Sequence, residues 1–489
     1  MKSKNIIIIG AGFAGTTIAA EIGKKGVLGR VIGFLDDDQR KIGTTIQNIP
    51  VLGPIGDAAR VSEQYDADEA LIAIPSADRK KLEFIYSVLK KAGYLKIRIL
   101  PSVSQIIDGD AHFIQTREID AQDLLGRNPV MIPLKESLRY LRGRRVVITG
   151  AGGSIGSELA RQLLSGGAER LYLFGHGENS IYEIERELKI LQEEGVGEKA
   201  SVVPVIGELR DRDFVKFIMK RLDADVVFHC AAYKHVPLME SNPIEAVKNN
   251  VFGTKTLVEA ALEAEISRFV FISTDKAVQP VSVYGASKLI AEEIVLENNT
   301  DSSAFIVVRF GNVLGSRGSI VPLLRKQIFK GGPVTITDPD ISRFFMTIPE
   351  AASLVLKAGG VGKGGNLYIL DMGEPIRIKE LAEQMVRFYG FKPHDEIEFK
   401  YIGLRPGEKL NEQLWTEHDR LEPTEHVSIN RLDRNGKSLF EIEKIIAELR
   451  PFCYFDKTKP HYYRNKRMLR EALANYVPTL EVNENEPEY

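Results

Sequence analysis

The stretch RRVVITGAGGSIGSELARQLL, residues 144–164, limits the fold more than any other part of the chain. A strand-length apolar run enters a turn with glycines at 150, 153 and 156, then continues as a helix with apolar residues on one face. The same order occurs earlier in KNIIIIGAGFAGTTIAAEIGKK, residues 4–25. There Gly10 permits a tight turn, Gly12 lets a phosphate approach the backbone, and Gly15 lets the helix pack close to the strand. The chain thus starts a dinucleotide-type unit twice, and the two units are not close sequence repeats.

Around each start, strands and helices alternate. The first is followed by VIGFLDDD, whose Asp36 lies 21 residues past Gly15, near the distance at which an acid meets a ribose hydroxyl. The second is followed by RLYLFGHGENS, SVVPVIGELRD, DVVFHCAAYKHVP, RFVFISTDKA and AFIVVRFGNVLGS. This alternation predicts an α/β protein of two tandem Rossmann-like, doubly wound parallel-sheet domains, the second with a small C-terminal substrate-binding subdomain. The expected boundaries are 1–125 for an N-terminal nucleotide-binding domain and 126–143 for a helical linker. Residues 144–450 form the catalytic domain and 451–489 a C-terminal helical tail.

At 489 residues, two or three domains fit better than one core. A net charge of −2 gives no field for nucleic acid or an anionic membrane, so neither is an expected partner. The basic run HYYRNKRMLR, residues 461–470, reads as a solvated helix face. Cys230 and Cys453 have no partners at metal or redox spacing, so no metal site and a cytoplasmic, reducing location are expected. Apolar runs are of strand length, which predicts no membrane span.

In order, TGAGGSIGSE, FHCAAYKHVPLMESNP, NNVFGT, STDKA, RFGNVLGSRGSIVP, FFMTIPEA, YILDMGEP and GLRPGEKL resemble the UDP-N-acetylglucosamine 4,6-dehydratases. These are extended short-chain dehydrogenases/reductases of polysaccharide biosynthesis, and the resemblance runs from about residue 1 to 420. Long members of the family usually begin with transmembrane helices, whereas this chain shows none, so membrane attachment is not expected here.

Tyr284 and Lys288 stand four apart on a helical run, so they share a face. A cation beside a phenol lowers its pKa toward neutrality, as a base for an alcohol proton requires. By resemblance this pair oxidises the sugar C4 while hydride passes to NAD, with NADP as the alternative, and Lys288 also holds the nicotinamide ribose. The resemblance further makes Lys276 the base for C5, Asp275 the acid for the C6 hydroxyl, and Thr274 a partner of the C4 oxygen. A lysine acts as a base only with a lowered pKa, to which Lys288 would contribute.

The cofactor set implied by the family is Gly150, Gly153, Ser154, Ile155, Gly156, Glu178, Ser180, Glu208, Leu209, Ala231, Ala232, Tyr233 and Asn250, with Tyr284 and Lys288. Lys234 and His235 would meet the sugar, and Asn312 the substrate phosphate. Arg343 would close over the nucleotide, Arg405 would hold pyrophosphate and Glu408 ribose. Gly10, Gly12, Gly15 and Asp36 make a second candidate nucleotide site.

Two departures stand out. Long members often carry methionine where this chain has Tyr284, which leaves the C5 stereochemistry open. Gly175 occupies the position where an aspartate would select NAD; Glu178 or Ser180 would substitute, and no arginine follows at once for a 2′-phosphate. A 4-epimerase acting on the same UDP-sugars and a non-catalytic nucleotide sensor remain the alternatives. A homo-oligomer, dimer or higher, is expected by fold analogy.

Overall fold

The computed structural model describes residues 4–25, 29–100, 117–118, 137–193, 195–197, 199–434 and 439–482. Contacts divide the chain into two compact units, Met1–Pro133 and Leu134–Tyr489. The expected end of the first domain at 125, and the expected linker up to residue 136, lie outside the described residues. The linker's remainder holds one short 3-10 turn, Arg139–Leu141, and Tyr140 donates its hydroxyl to the Leu356 carbonyl at 2.7 Å.

The first unit is a seven-stranded sheet in the order Thr45–Ile46, Ile49–Gly53, Arg30–Leu35, Asn5–Ile9, Glu69–Ile72, Lys96–Ile99, Arg117–Glu118. Asn5–Ile9 pairs in parallel with both neighbours. Its isoleucines are buried because helices cover both faces of such a sheet, which is why the sequence there is apolar without alternation.

The second unit is built on nine strands in the order Ser201–Ile206, Arg170–Gly175, Arg145–Thr149, Val226–His229, Arg268–Thr274, Ala304–Phe310, Asn366–Leu370, Ile429–Asp433, Arg420–Pro423. The first seven run parallel, and the last two join antiparallel. Strand order reverses between Arg145–Thr149 and Val226–His229, so a crevice opens at their carboxyl ends. Of three small two-stranded ribbons beyond it, one holds Asn312 and another Arg343.

The C-terminal part departs from expectation. The boundary at 450 falls inside the helix Ile442–Cys453, whose face of Ile442, Ile445, Leu449 and Phe452 is buried without a break. Residues past it pack onto the second unit instead of forming a separate tail. In the helix Lys466–Ala474, Arg470 Nη1 lies 2.9 Å from Glu240 Oε2, and farther on Thr479 donates to the Pro280 carbonyl at 2.7 Å. Arg470 is therefore buried, not part of a solvated face, because Glu240 supplies a buried counter-charge. Among the described residues no helix is long and apolar enough to cross a membrane.

Candidate active site

The strand Arg268–Thr274 delivers Thr274 to the crevice, and the 3-10 turn Asp275–Ala277 follows at once. The helix Val283–Glu297 carries Tyr284 and Lys288 back against it. Two side chains fix its start: Ser282 Oγ accepts from Gly285 N at 3.0 Å, and Glu240 Oε1 accepts from Val283 N at 2.8 Å. A Cβ on Gly285 would lie 2.2 Å from the Lys276 carbonyl, so glycine alone lets helix and turn approach this closely.

Asp275 is fully buried. Its Oδ1 accepts from the Thr274 hydroxyl at 2.8 Å and from Lys276 Nζ at 2.9 Å, while Oδ2 is buried with no hydrogen-bond partner. Lys276 Nζ also reaches Asn312 Oδ1 at 3.1 Å and Glu412 Oε1 at 3.5 Å. Burial works against the Lys276 charge, but the Asp275 and Glu412 carboxylates outweigh it and raise the pKa. The lowering expected from Lys288 is not found. Lys288 Nζ instead donates to the Ile272 carbonyl at 2.7 Å, 3.7 Å above the Phe271 ring, where burial brings its pKa down to about 7.

Tyr284 differs from expectation for the same reason. Burial pushes its phenol up to about 12, and the nearby charge that opposes this is Lys276 rather than Lys288. The Thr274 hydroxyl pairs with it and also favours the phenolate.

Where the two central strands diverge, Gly150 adopts φ +66°, and a Cβ there would lie 2.8 Å from Ala231. A Cβ on Gly156 would lie 2.3 Å from the Gly150 carbonyl. The helix Ser154–Ser165 begins at Gly153 with no side-chain cap and no acid in its first turn, which leaves the N–H groups near Ser154, Ile155 and Gly156 for an anion. This donor set fits a dinucleotide pyrophosphate. Arg317, which sequence reasoning missed, reaches over the same loop: its N–H donates to Ser154 Oγ at 3.1 Å and its Nη1 to the Gly152 carbonyl at 2.9 Å.

The other expected cofactor residues differ in exposure and in their contacts within the protein. Glu178 is exposed at the start of the helix Glu178–Glu193, and Ser180 Oγ turns back to the Gly177 carbonyl at 2.8 Å. Glu208 pairs with Arg210 at 2.8 Å, and Leu209 is buried. Ala231 N donates to Thr149 Oγ1 at 3.3 Å, with Ala232 next in the same loop. Asn250, expected at the nicotinamide, spends its amide on structure: it brackets the backbone of Tyr233 with two 3.0 Å bonds and donates to Ser287 Oγ at 3.0 Å.

On the substrate side, Lys234 Nζ stands 3.4 Å from Ser316 Oγ, and His235 lies against Gly318, where a Cβ would be 2.2 Å from the ring. Burial and neighbouring lysines lower both their pKa values. Asn312, expected at the phosphate, directs its amide oxygen at Lys276 because the short pairing of Asn312–Val313 with Phe345–Met346 brings it beside that turn. Arg343, expected to close over the nucleotide, is buried and clamps the RPGEK loop through the Leu410 and Lys409 carbonyls at 2.9 and 2.7 Å and through Glu408 at 3.5 Å. Glu408 Oε2 accepts from Arg405 N at 3.2 Å, so its carboxylate serves the turn, whereas the Arg405 guanidinium is 43% exposed.

The N-terminal unit repeats the theme. Gly10 has φ +102°, and a Cβ on Gly15 would lie 1.9 Å from the Gly10 carbonyl, whereas Gly12 faces open space. Asp36, expected at a ribose, is occupied by Ala11 N at 2.7 Å, Asp38 N at 2.9 Å and Lys41 Nζ at 3.0 Å. Burial opposes its charge, but those donors win and lower its pKa.

Sequence reasoning also missed Glu240 and Glu412. The only signal for Glu412 was its place just beyond the RPGEK motif; Glu240 gave none, because its partners lie far along the chain.

A glycine-loop crevice at a strand-order reversal, with a Tyr-x-x-x-Lys helix on the far side, defines an extended short-chain dehydrogenase/reductase. Residues 146–434 match the family described as polysaccharide biosynthesis protein, and the chain belongs to that family. Residues 2–101 match the family described as CoA-binding domain. The capsular polysaccharide biosynthesis protein CapD of Staphylococcus aureus is 40% identical over 456 residues, 92% of this chain and 75% of that protein. A UDP-N-acetylglucosamine 4,6-dehydratase (inverting) of Campylobacter jejuni is 32% identical over 283 residues, 57% of this chain and 79% of that enzyme. A UDP-glucose 4-epimerase of Rickettsia canadensis is 32% identical over 280 residues, 56% of this chain and 80% of that enzyme. The chain is thus related to nucleotide-sugar dehydratases and epimerases alike.

Proposed function

We propose that the second unit dehydrates a UDP-N-acetylhexosamine, UDP-N-acetylglucosamine above all, to the UDP-4-keto-6-deoxy sugar. The observation that carries this reading is the buried Asp275 carboxyl, which keeps Oδ2 unpartnered while Oδ1 holds Lys276 at 2.9 Å. An alcohol oxidation alone needs only Tyr284 and Lys288. A second acid and amine, adjacent and buried, suit an elimination.

NAD, when bound, would take hydride from C4 and return it to C6. Gly150, Gly153 and the first turn of the helix Ser154–Ser165 would hold its pyrophosphate, and the absence of Lys or Arg from residues 175–181 favours it over NADP. Tyr284 would receive the C4 hydroxyl proton, with Thr274 fixing the C4 oxygen and the Lys276 charge favouring phenolate. Lys288, with its pKa near 7, can take up or release a proton around neutrality. Once C4 is a ketone, the C5 hydrogen is acidic. Neutral Lys276 would remove it, and protonated Asp275 would donate to the departing C6 hydroxyl.

A 4-epimerase is the second reading, supported by the equal identity to an epimerase. One experiment separates the two. The protein is incubated with UDP-N-acetylglucosamine in deuterated water and followed by NMR. A 6-deoxy-4-keto product deuterated at C5 supports dehydration, UDP-N-acetylgalactosamine supports epimerisation, and unchanged substrate would sink both and leave a nucleotide sensor.

A further inference from the structure

We infer that Glu412 is a positioning residue that acts through Lys276, accepting a proton from its ammonium and so freeing the amine to work on C5. This rests on the dehydration proposed above and names a group which that reading lacks.

A charged lysine has no lone pair, so Lys276 must lose a proton before it can be a base. Its three N–H groups face three oxygens: Asp275 Oδ1 at 2.9 Å, Asn312 Oδ1 at 3.1 Å and Glu412 Oε1 at 3.5 Å. The Asn312 amide is not basic. The Thr274 hydroxyl donates to Asp275 Oδ1 at 2.8 Å and pairs with Tyr284, so Asp275 would receive the C4 proton by that route and hand it to the C6 hydroxyl, which leaves the Lys276 proton in need of a different sink. Glu412 remains.

Its surroundings suit the task. The Glu412 side chain is 4% exposed, and Oε2 has no hydrogen-bond partner, with Lys409 Nζ 3.9 Å away. Burial first, and then the Asp275 charge, push its pKa up, against the pull of Lys276, Arg343 and Lys409. Lys234 and Tyr284 complete the charged and titratable groups around the pair, and Arg343 is itself tied to Glu408. Moving the proton turns a buried ion pair into two neutral groups, which removes the desolvation cost carried by both ions. One N–H bond breaks on Lys276, one O–H bond forms on Glu412, and nothing is oxidised or reduced. The amine then takes the C5 proton, exchanges with solvent and returns a solvent-derived proton to C5 at the end of the cycle, while Glu412 keeps its own.

The pH profile tests this, because proton exchange within a pair does not depend on pH between the pair's two macroscopic steps. Wild type should therefore incorporate deuterium at C5 at a rate that is flat around neutrality. Glu412→Gln must lose the Lys276 proton to solvent, so its rate should fall roughly 10–100-fold near neutral pH and climb about tenfold per pH unit. Formation of reduced nicotinamide on mixing with substrate should fall much less than the C5 rate, and Glu412→Asp should recover part of the C5 rate. A Glu412→Gln profile of wild-type rate and shape, or equal losses in both half-reactions at every pH, would overturn the inference. A wild type without C5 deuteration counts against the dehydration itself. Glu412 is then judged on the ligand-free full chain with labelled lysine Nζ NMR: Lys276 should titrate in two linked steps in wild type and one in Glu412→Gln, and a single step in both would overturn its role.

Discussion

Lys276 Nζ lies 2.9 Å from Asp275 Oδ1, while the other oxygen of the same carboxyl is buried without a hydrogen-bond partner. One oxygen orients the amine, and in the proposed dehydration the other would serve the C6 hydroxyl. Lys276→Ala should therefore abolish C5 deuteration and product formation while leaving the cofactor bound, as read by absorbance of the purified protein. Normal turnover in that variant would remove Lys276 from the base role.

Lys288 sets a pH dependence of stability. Its pKa is about 7 in the folded chain against the usual 10.5, so the unfolded chain binds the extra proton across that window. Stability then rises with pH from about 7 to about 10.5, and below 7 the full penalty applies. Lys288→Met should stabilise the second unit near pH 6 by on the order of 2 kcal/mol, with the gain gone by about pH 10. Urea titrations of both proteins at the two pH values check this, and a gain independent of pH would contradict it.

Asn250 binds the backbone of Tyr233 on one side and Ser287 on the other, which ties the crevice loop to the Tyr284 helix. Asn250→Ala leaves several buried groups without partners, at a cost of roughly 2–4 kcal/mol. A lower unfolding midpoint should accompany weaker cofactor retention. Loss of cofactor at full stability would instead point to direct contact.

The glycines of the first unit separate packing from binding. Gly15→Ala drives a Cβ into the Gly10 carbonyl and should unfold or strongly destabilise that unit. Gly12→Ala meets nothing within 4 Å and should change stability by less than about 0.5 kcal/mol. Any loss of nucleotide binding in Gly12→Ala, measured by calorimetry with a nucleotide that binds the wild type, would thus report a ligand at the loop.

The glycine spacings, the strand alternation and the set of Thr274, Asp275, Lys276, Tyr284 and Lys288 were legible in the sequence because each is local: a turn, a period and a helical offset are written within a few residues. The charge states were not. Lys288 looked like the cation that tunes Tyr284, but its partners are a carbonyl and a ring that only the packed sheet supplies. Asn312 was expected at the substrate phosphate, Arg343 over the nucleotide and Glu408 at the ribose, whereas their contacts run to Lys276 and the RPGEK backbone, which no motif records. Glu412 was missed because its meaning depends on Lys276, far away along the chain.

The Glu240–Arg470 pair carries a consequence for synthesis. Glu240 holds the first N–H of the helix bearing Tyr284, and its partner follows 230 residues later. At about 5–20 residues per second, a translating ribosome leaves Glu240 without that arginine for roughly 12 to 46 s. Before that interval ends every sequence motif of the second unit has been made, but its buried carboxylate still lacks a counter-charge. The nascent chain completes this scaffold only as the helix Lys466–Ala474 emerges, so a protein shortened before Arg470 would carry all the motifs and still lack the pair that steadies the Tyr284 helix.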